Sequence, residues 1–222
     1  GNDVRNDASK KTKMIFLFLI LVSYLLGSFP TAVWVGKIFH DIDIREHGSH
    51  NAGATNTFRV LGKNWGWVVL VIDISKGYLA ASIPLFLDNF YLGFKDEVLI
   101  LQLIASFCVI IGHVLPVFAN FRGGKGVATT LGIILAINLD TALISLALFL
   151  MVFLWTRYVS LGAIIASIVF PFISFFAMKE DARIMIIFSI VVSLIVLFSH
   201  RKNINRLMRG EENKMNFSGR KA

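Results

Sequence analysis

The sequence predicts an all-α polytopic membrane protein of about seven transmembrane helices, some of them short. Three observations carry this. Hydrophobic residues make up 56% of the 222 residues and charged ones only 16%, well under the roughly 25% charged that is usual in soluble proteins. Apolar runs near the roughly 20 residues needed to cross a bilayer recur along the chain. Lys and Arg cluster in alternate gaps between those runs, as the positive-inside rule describes. Little chain is left over for a separate soluble domain.

The apolar segments run, in order, over about 14–39, 65–87, 98–119, 126–139, 141–157, 159–178 and 182–200. Gly27 and Pro30 interrupt the first, so a kink or break is expected there. This segment is too long for a removed signal peptide and lacks a small-residue cleavage site. The fourth and fifth are short and meet in a tight uncharged turn, Asn138, Leu139 and Asp140. Residues 1–13 are expected to be a polar tail, in part an expression remnant, because the chain begins with Gly rather than Met. Residues 14–209 read as one integral membrane domain. Residues 210–222 read as a polar basic tail, following a surface helix just beyond the last span.

Basic residues set the orientation. Lys37, Arg45, Arg59, Lys63, Arg122, Lys125, Arg157, Arg201, Lys202, Arg206 and Arg209 fall on one side; Lys95, Lys179 and Arg183 fall on the other. The first set is expected to be cytoplasmic, which puts the N-terminus outside and the C-terminus inside. Arg5, Lys10, Lys11 and Lys13 oppose this order and are discounted with the tail that holds them. The net charge of +8 then answers anionic lipid headgroups and topology rather than nucleic acid. The 20 Phe residues suit lipid-facing surface. Cys108 is the lone cysteine, so no internal disulfide forms.

Polar residues gather in four places. Residues 120–132 read Asn-Phe-Arg-Gly-Gly-Lys-Gly-Val-Ala-Thr-Thr-Leu-Gly. Successive amides in a glycine turn make an anion-binding concavity, and the start of the following helix adds its positive end. Gly123, Gly124, Lys125 and Gly126 therefore suit a phosphate, although a plain basic turn has the same composition. Between 40 and 64, Ser49, Asn51, Thr55 and Asn56 stand among Gly48 and Gly53 with Arg59 following. Small polar groups between glycines bind oxyanions well; Asn51 or Thr55 would alternatively cap a helix. The third cluster is Arg157 to Gly162, with Ser160. The fourth is His200 with Asn203 and Arg206, where helix-dipole and topology arguments explain the arginines but not His200 or Asn203. All four lie at cytoplasmic ends under one topology and mix base, amide, hydroxyl and glycine, as one anion site would. Within the second segment Asp73 and Lys76 share a helix face and can pair, as a structural pair or a site wall; Gly77 allows close helix packing. His113 stands near Gly112 and Pro116 at the end of the third.

Absent patterns narrow the chemistry. The chain has no Gly-x-x-x-x-Gly-Lys-Ser/Thr nucleotide loop, no His-Glu-x-x-His zinc helix or cysteine ligand pair, no Gly-x-Ser-x-Gly, and no His-x-x-x-x-Asp. No metal or cofactor is expected.

Taken together, Gly27-Ser-Phe-Pro30, Gly48 to Asn56, Asp73-x-x-Lys-Gly77, Gly112-His113 to Pro116, Phe121 to Thr129, Arg157-Tyr-Val-Ser-Leu161 and His200-Arg-x-Asn-Ile-Asn-Arg206 resemble the bacterial acyl-phosphate:glycerol-3-phosphate acyltransferases of the PlsY type, in unbroken order over about 15–209. The resemblance implies a multi-pass enzyme of the bacterial inner membrane with its site facing the cytoplasm. It would move a fatty acyl group from acyl phosphate to the 1-hydroxyl of glycerol 3-phosphate, giving lysophosphatidic acid and phosphate in phospholipid synthesis. It also implies contact with membrane lipids and a transient contact with an acyl-phosphate-producing enzyme. The family's signature regions fall on Ser49 to Arg59, Gly123 to Gly126, and Ser160 with His200 and Asn203; His50 stands where Gly is common.

On this reading Arg59 and Lys125 neutralise phosphate, with Ser49, Asn51, Gly53, Thr55, Asn56 and the 123–126 amides completing the cradle. Asn203 or backbone amides would stabilise the oxyanion. His200 is the side-chain candidate for base, and the phosphate of glycerol 3-phosphate the other. The residues alone also permit a small transporter for a phosphorylated solute, although the polar clusters crowd one face and no inverted repeat of broken helices is evident.

Overall fold

The computed structural model describes residues 2–88, 98–177 and 182–215; the side chains of 2–12 and 182 lie outside that description, as do Lys95 and Lys179 of the opposite-side set. Every regular element among the described residues is helical. In chain order these are α1 (Asn2–Ser28), α2 (Thr31–His40), α3 (Ala54–Val60), α4 (Lys63–Leu87), α5 (Val98–Val114), α6 (Val127–Ile137), α7 (Leu139–Thr156), α8 (Val159–Ala177), α9 (Ala182–Ser199) and α10 (Arg201–Met208). Each of the seven apolar segments falls on helix. Four are single stretches able to cross a bilayer: α4, α5 continued to Ala119, α7 and α8. Two more cross only as bent pairs, α1 with α2 at 42° and α9 with α10 at 62°. The seventh, α6, rises only about 16 Å at 1.5 Å per residue, half of the roughly 30 Å hydrocarbon core.

Local chemistry sets these ends. Gly126, at φ 82°, holds a left-handed backbone that only glycine adopts without strain, so the fourth segment starts one residue later than its hydropathy. Asn138 leaves helical space and accepts the Thr141 amide at 2.8 Å, capping α7. The break after Ser28 follows from Pro30, which has no N–H and disfavours a helical residue before it. In α8, Pro171 leaves the Ser167 carbonyl without its helical donor, and Ser193 Oγ of α9 supplies one.

Helices pack as neighbours α1–α5, α4–α6, α4–α5, α7–α8 and α8–α9. Ala80, Ala81, Val109, Ile110, Ile133 and Met185 are fully buried between α4, α5, α6 and α9. Small residues bring backbones into contact. A Cβ on Gly77 would lie 2.1 Å from the Thr129 carbonyl oxygen, and one on Gly132 would lie 1.9 Å from that of Ile74. The short α6 is thus clamped on α4, and the position of its N-terminus, where Lys125 sits, follows from that clamp.

Candidate functional site

The loop before α3 is braced internally. Asp43 accepts the Arg45 amide, Nε and Nη2 at 3.0, 2.9 and 2.6 Å, while Arg45 Nη1 donates to the Ala119 carbonyl at 2.8 Å. The Arg45 guanidinium holds the Asp43 carboxyl well below the usual range. Asn56 is fully buried: its Oδ1 accepts the Ser49 amide at 2.8 Å, and its Nδ2 donates to the Ile44 and His47 carbonyls at 2.9 and 3.0 Å. This corrects its expected role. Its side chain shapes the loop, and both of its N–H donors are spent, so none is left for a phosphate. Neither Asn51 nor Thr55 caps α3; Gly53 is the cap residue, and its carbonyl accepts Thr57 Oγ1 at 3.1 Å.

The glycine loop is likewise partly committed. Gly123 N–H donates to the Val114 carbonyl at 3.2 Å and Gly124 N–H to that of His113 at 3.1 Å, satisfying orphan carbonyls at the end of α5. A Cβ on Gly123 would lie 2.0 Å from the His113 oxygen, and one on Gly124 would lie 2.2 Å from His113 Nε2. These two glycines dock the loop on α5, so their amides do not line an anion cradle as expected from sequence. The orphan donors that remain are those at the start of α6, beside Lys125.

Beyond the loop, the clusters converge. Lys125 Nζ donates to Asn203 Oδ1. Asn203 Nδ2 and Ser160 Oγ donate to Glu212 Oε1 at 2.8 and 2.9 Å, and Arg206 Nε to Oε2 at 2.7 Å. Arg59 Nη2 reaches the Asn213 carbonyl at 2.9 Å. Met215 N–H donates to the Arg157 carbonyl at 2.8 Å, and Lys214 Nζ lies 5.5 Å from the centre of the Tyr158 ring. His200, buried at the bend between α9 and α10, directs Nδ1 to the Val196 carbonyl at 2.8 Å. A carbonyl can only accept, so Nδ1 carries the proton and Nε2 of the neutral ring keeps its lone pair. Among the described residues no hydrogen bond links Ser49, Asn51 or Thr55 to this network.

Electrostatically the centre is overloaded with cations. Lys125, Arg59 and Arg206 act on one another and on Glu212. Burial, with Arg206 and Arg59 adding to it and Glu212 opposing, pushes Lys125 down to about 8. Burial and Arg206 push Arg59 down too, against Glu212. Burial raises Glu212, but hydrogen bonds from Arg206, Asn203 and Ser160 outweigh it and hold the carboxyl below its ordinary value.

Sequence reasoning missed Glu212 and read 210–222 as a tail. Its signal is faint: an acidic pair after Gly210 in an otherwise basic stretch. Gly210, at φ 71°, turns the chain back from α10 so that residues 211–215 run across the site.

Comparison with known proteins agrees with this architecture. A family model described as glycerol-3-phosphate acyltransferase matches residues 17–210. A glycerol-3-phosphate acyltransferase of Fusobacterium nucleatum is 39% identical over 92% of this chain and all of its own length. That of Chlorobaculum tepidum is 42% identical over 94% and 99%. A crystal structure of PlsY, an integral membrane glycerol 3-phosphate acyltransferase, in its glycerol 3-phosphate form superposes with a TM-score of 0.80 at 37% identity, covering 90% of this chain and 96% of that one. Its lysophosphatidic acid form gives 0.77 at 36% identity over 91% and 96%. With its bundle of apolar helices and cation-rich centre, this chain belongs to the glycerol-3-phosphate acyltransferase family, as an integral membrane enzyme of the PlsY type.

Proposed function

We propose that the chain transfers a fatty acyl group from acyl phosphate to the 1-hydroxyl of glycerol 3-phosphate, releasing lysophosphatidic acid and inorganic phosphate. The observation that carries this is the imbalance of three cations, Lys125, Arg59 and Arg206, against the single Glu212 carboxylate. A phosphate, carrying between about 1.5 and 2 negative charges near neutral pH, matches the excess. Both substrates bear one. Lys125 and Arg59 bind phosphate, the free amides at the start of α6 add donors, and Asn203 sits where it can hold Lys125 or a developing oxyanion. Ser49, Asn51, Gly53 and Thr55 are proposed to line the glycerol 3-phosphate side.

In the transfer, the 1-hydroxyl oxygen attacks the acyl carbonyl, the bond to the phosphate oxygen breaks, and phosphate leaves with the electron pair. Phosphate is a good leaving group, so positioning supplies much of the acceleration. The hydroxyl proton goes to a base, for which His200 Nε2 is the side-chain group available. The basic clusters support a site on the cytoplasmic face of the bacterial inner membrane, with the C-terminus inside. An enzyme that makes acyl phosphate would deliver it at the same face.

Purified protein in detergent, given acyl phosphate and labelled glycerol 3-phosphate, is expected to form lysophosphatidic acid and phosphate; no product would overturn the reading. Lys125→Ala and Arg59→Ala are each expected to lose roughly 2–5 kcal/mol of phosphate recognition, the range for truncating a buried charge partner. At about 1.4 kcal/mol per decade that is at least tenfold in kcat/KM. Near-wild-type turnover by folded Lys125→Ala would sink the phosphate site.

A further inference from the structure

A second polar cluster lies outside the Lys125–Glu212 network. Asp73, Lys76, His113 and Thr31 are all buried, inside or beside candidate membrane spans. Lys76 Nζ lies 2.9 Å from Asp73 Oδ1 and donates to the Phe29 carbonyl at 3.2 Å. Thr31 Oγ1 donates to the same Asp73 oxygen at 3.3 Å. The pair therefore straddles the broken first span: the ammonium meets a carbonyl just past the end of α1, and the carboxylate meets the first residue of α2. Each charge faces the helix end whose dipole it complements. An ion pair at this depth is costly, and repairing one helix break leaves His113 unexplained.

His113 joins this pair to the phosphate loop. Its Nδ1 is 3.8 Å from Asp73 Oδ1, too long for a direct hydrogen bond. A cavity of about 10 Å³, roughly one water in size, separates these groups and is lined by Thr31, Asp73, Lys76, His113, Ala52 and Gly124. The opposite edge of the imidazole, Nε2, abuts Gly124, and the His113 carbonyl holds the Gly124 amide. Ala52, just before α3, the helix that carries Arg59, touches the same point, its carbonyl oxygen 3.1 Å from where a Gly124 Cβ would stand. Imidazole, Gly124 and Ala52 are thus the joint between the loop that carries Lys125 and the segment leading into α3, which carries Arg59.

We propose that His113, seated on the Asp73–Lys76 pair, is a positioning residue: it sets where the Gly-Gly-Lys-Gly loop holds Lys125 relative to Arg59, and so sets affinity for the phosphate of the acceptor. This rests on the phosphate-site reading above. It acts through Lys125, without touching substrate.

The test is a double-mutant cycle on purified protein, with kcat, KM for glycerol 3-phosphate and thermal midpoint measured for His113→Ala, Gly124→Ala and the double variant. Gly124→Ala drives a methyl into the imidazole and is expected to lower kcat/KM about tenfold or more, chiefly through KM. His113→Ala vacates the space, so the double variant is expected to recover at least about threefold over Gly124→Ala, as contacting residues couple. Losses that multiply would overturn the proposal. If Gly124→Ala does not fold, His113→Gln against His113→Ala decides. An amide of similar reach should restore KM, and equal KM values for the two would refute positioning. Lys125→Ala in the same series separates the two ideas. An active Lys125→Ala sinks the phosphate site itself, whereas an impaired one beside multiplicative losses sinks only the role of His113.

Discussion

Gly132→Ala adds one methyl group to the apolar α6, about two turns beyond Lys125, yet it is expected to damage catalysis. The new Cβ would stand 1.9 Å from the Ile74 carbonyl oxygen and 2.9 Å from the Tyr78 nitrogen. Both obstacles are backbone of α4, so no rotamer change relieves them. Reaching an ordinary contact of about 3.4 Å requires the helices to part locally by about 1.5 Å, a gap at which dispersion forfeits a quarter to a half of its well or more. One turn earlier the same interface holds Gly77 against Thr129, so the loss spreads beyond one residue. Overpacking typically costs about 1–3 kcal/mol, and in lipid no hydrophobic drive pulls the helices back together. α6 must therefore shift, carrying Lys125 with it, and a displacement of about 1 Å at a catalytic group is worth on the order of 100-fold in rate. The assay is kcat/KM for glycerol 3-phosphate per folded enzyme, measured well below the thermal midpoint so that unfolding does not contribute. A fall of about 10–100-fold is expected. A folded Gly132→Ala enzyme within twofold of wild type would refute the claim that the α4–α6 clamp places the loop.

Two further predictions concern protons. With Lys125 pushed down to about 8, the charged form that binds phosphate is lost as pH rises through that value. The kcat/KM profile, which reports the free enzyme, is expected to fall on its alkaline limb near pH 8, and Lys125→Arg should remove the limb because a guanidinium stays protonated. A wild-type profile flat from pH 7 to 10 would contradict this. For His200, Nε2 as the base implies that His200→Gln loses about 10²–10⁴ in kcat, the usual size of general-base catalysis; retention of most of kcat would move the proton to the substrate phosphate.

Hydropathy and charge placement were enough to read the helical membrane architecture, because a bilayer enforces both on every span. They also marked the fourth segment as short, and Gly126 and Asn138 trim it further, to the 11 residues of α6, by backbone conformation rather than by polarity. The convergence of Lys125, Ser160 and Asn203 was legible because basic, hydroxyl and amide groups recur at one set of helix ends. What sequence concealed is which donors are already spent. Asn56, Gly123 and Gly124 have the composition of ligand-binding residues, and only tertiary contacts reveal that the Asn56 side chain and the two glycine amides are used internally. Glu212 was hidden for a different reason. A carboxylate in a proposed phosphate site runs against local charge logic, and it becomes sensible only once three cations are found around it.

Glu212 follows every described helix in chain order. The polypeptide that reaches residue 209 already has the described spans, Lys125, Ser160 and Asn203, but not the carboxylate that Ser160, Asn203 and Arg206 share. Synthesis of the described spans and completion of the Lys125 network are therefore separate events. The second waits for the segment that leaves the ribosome after the last span.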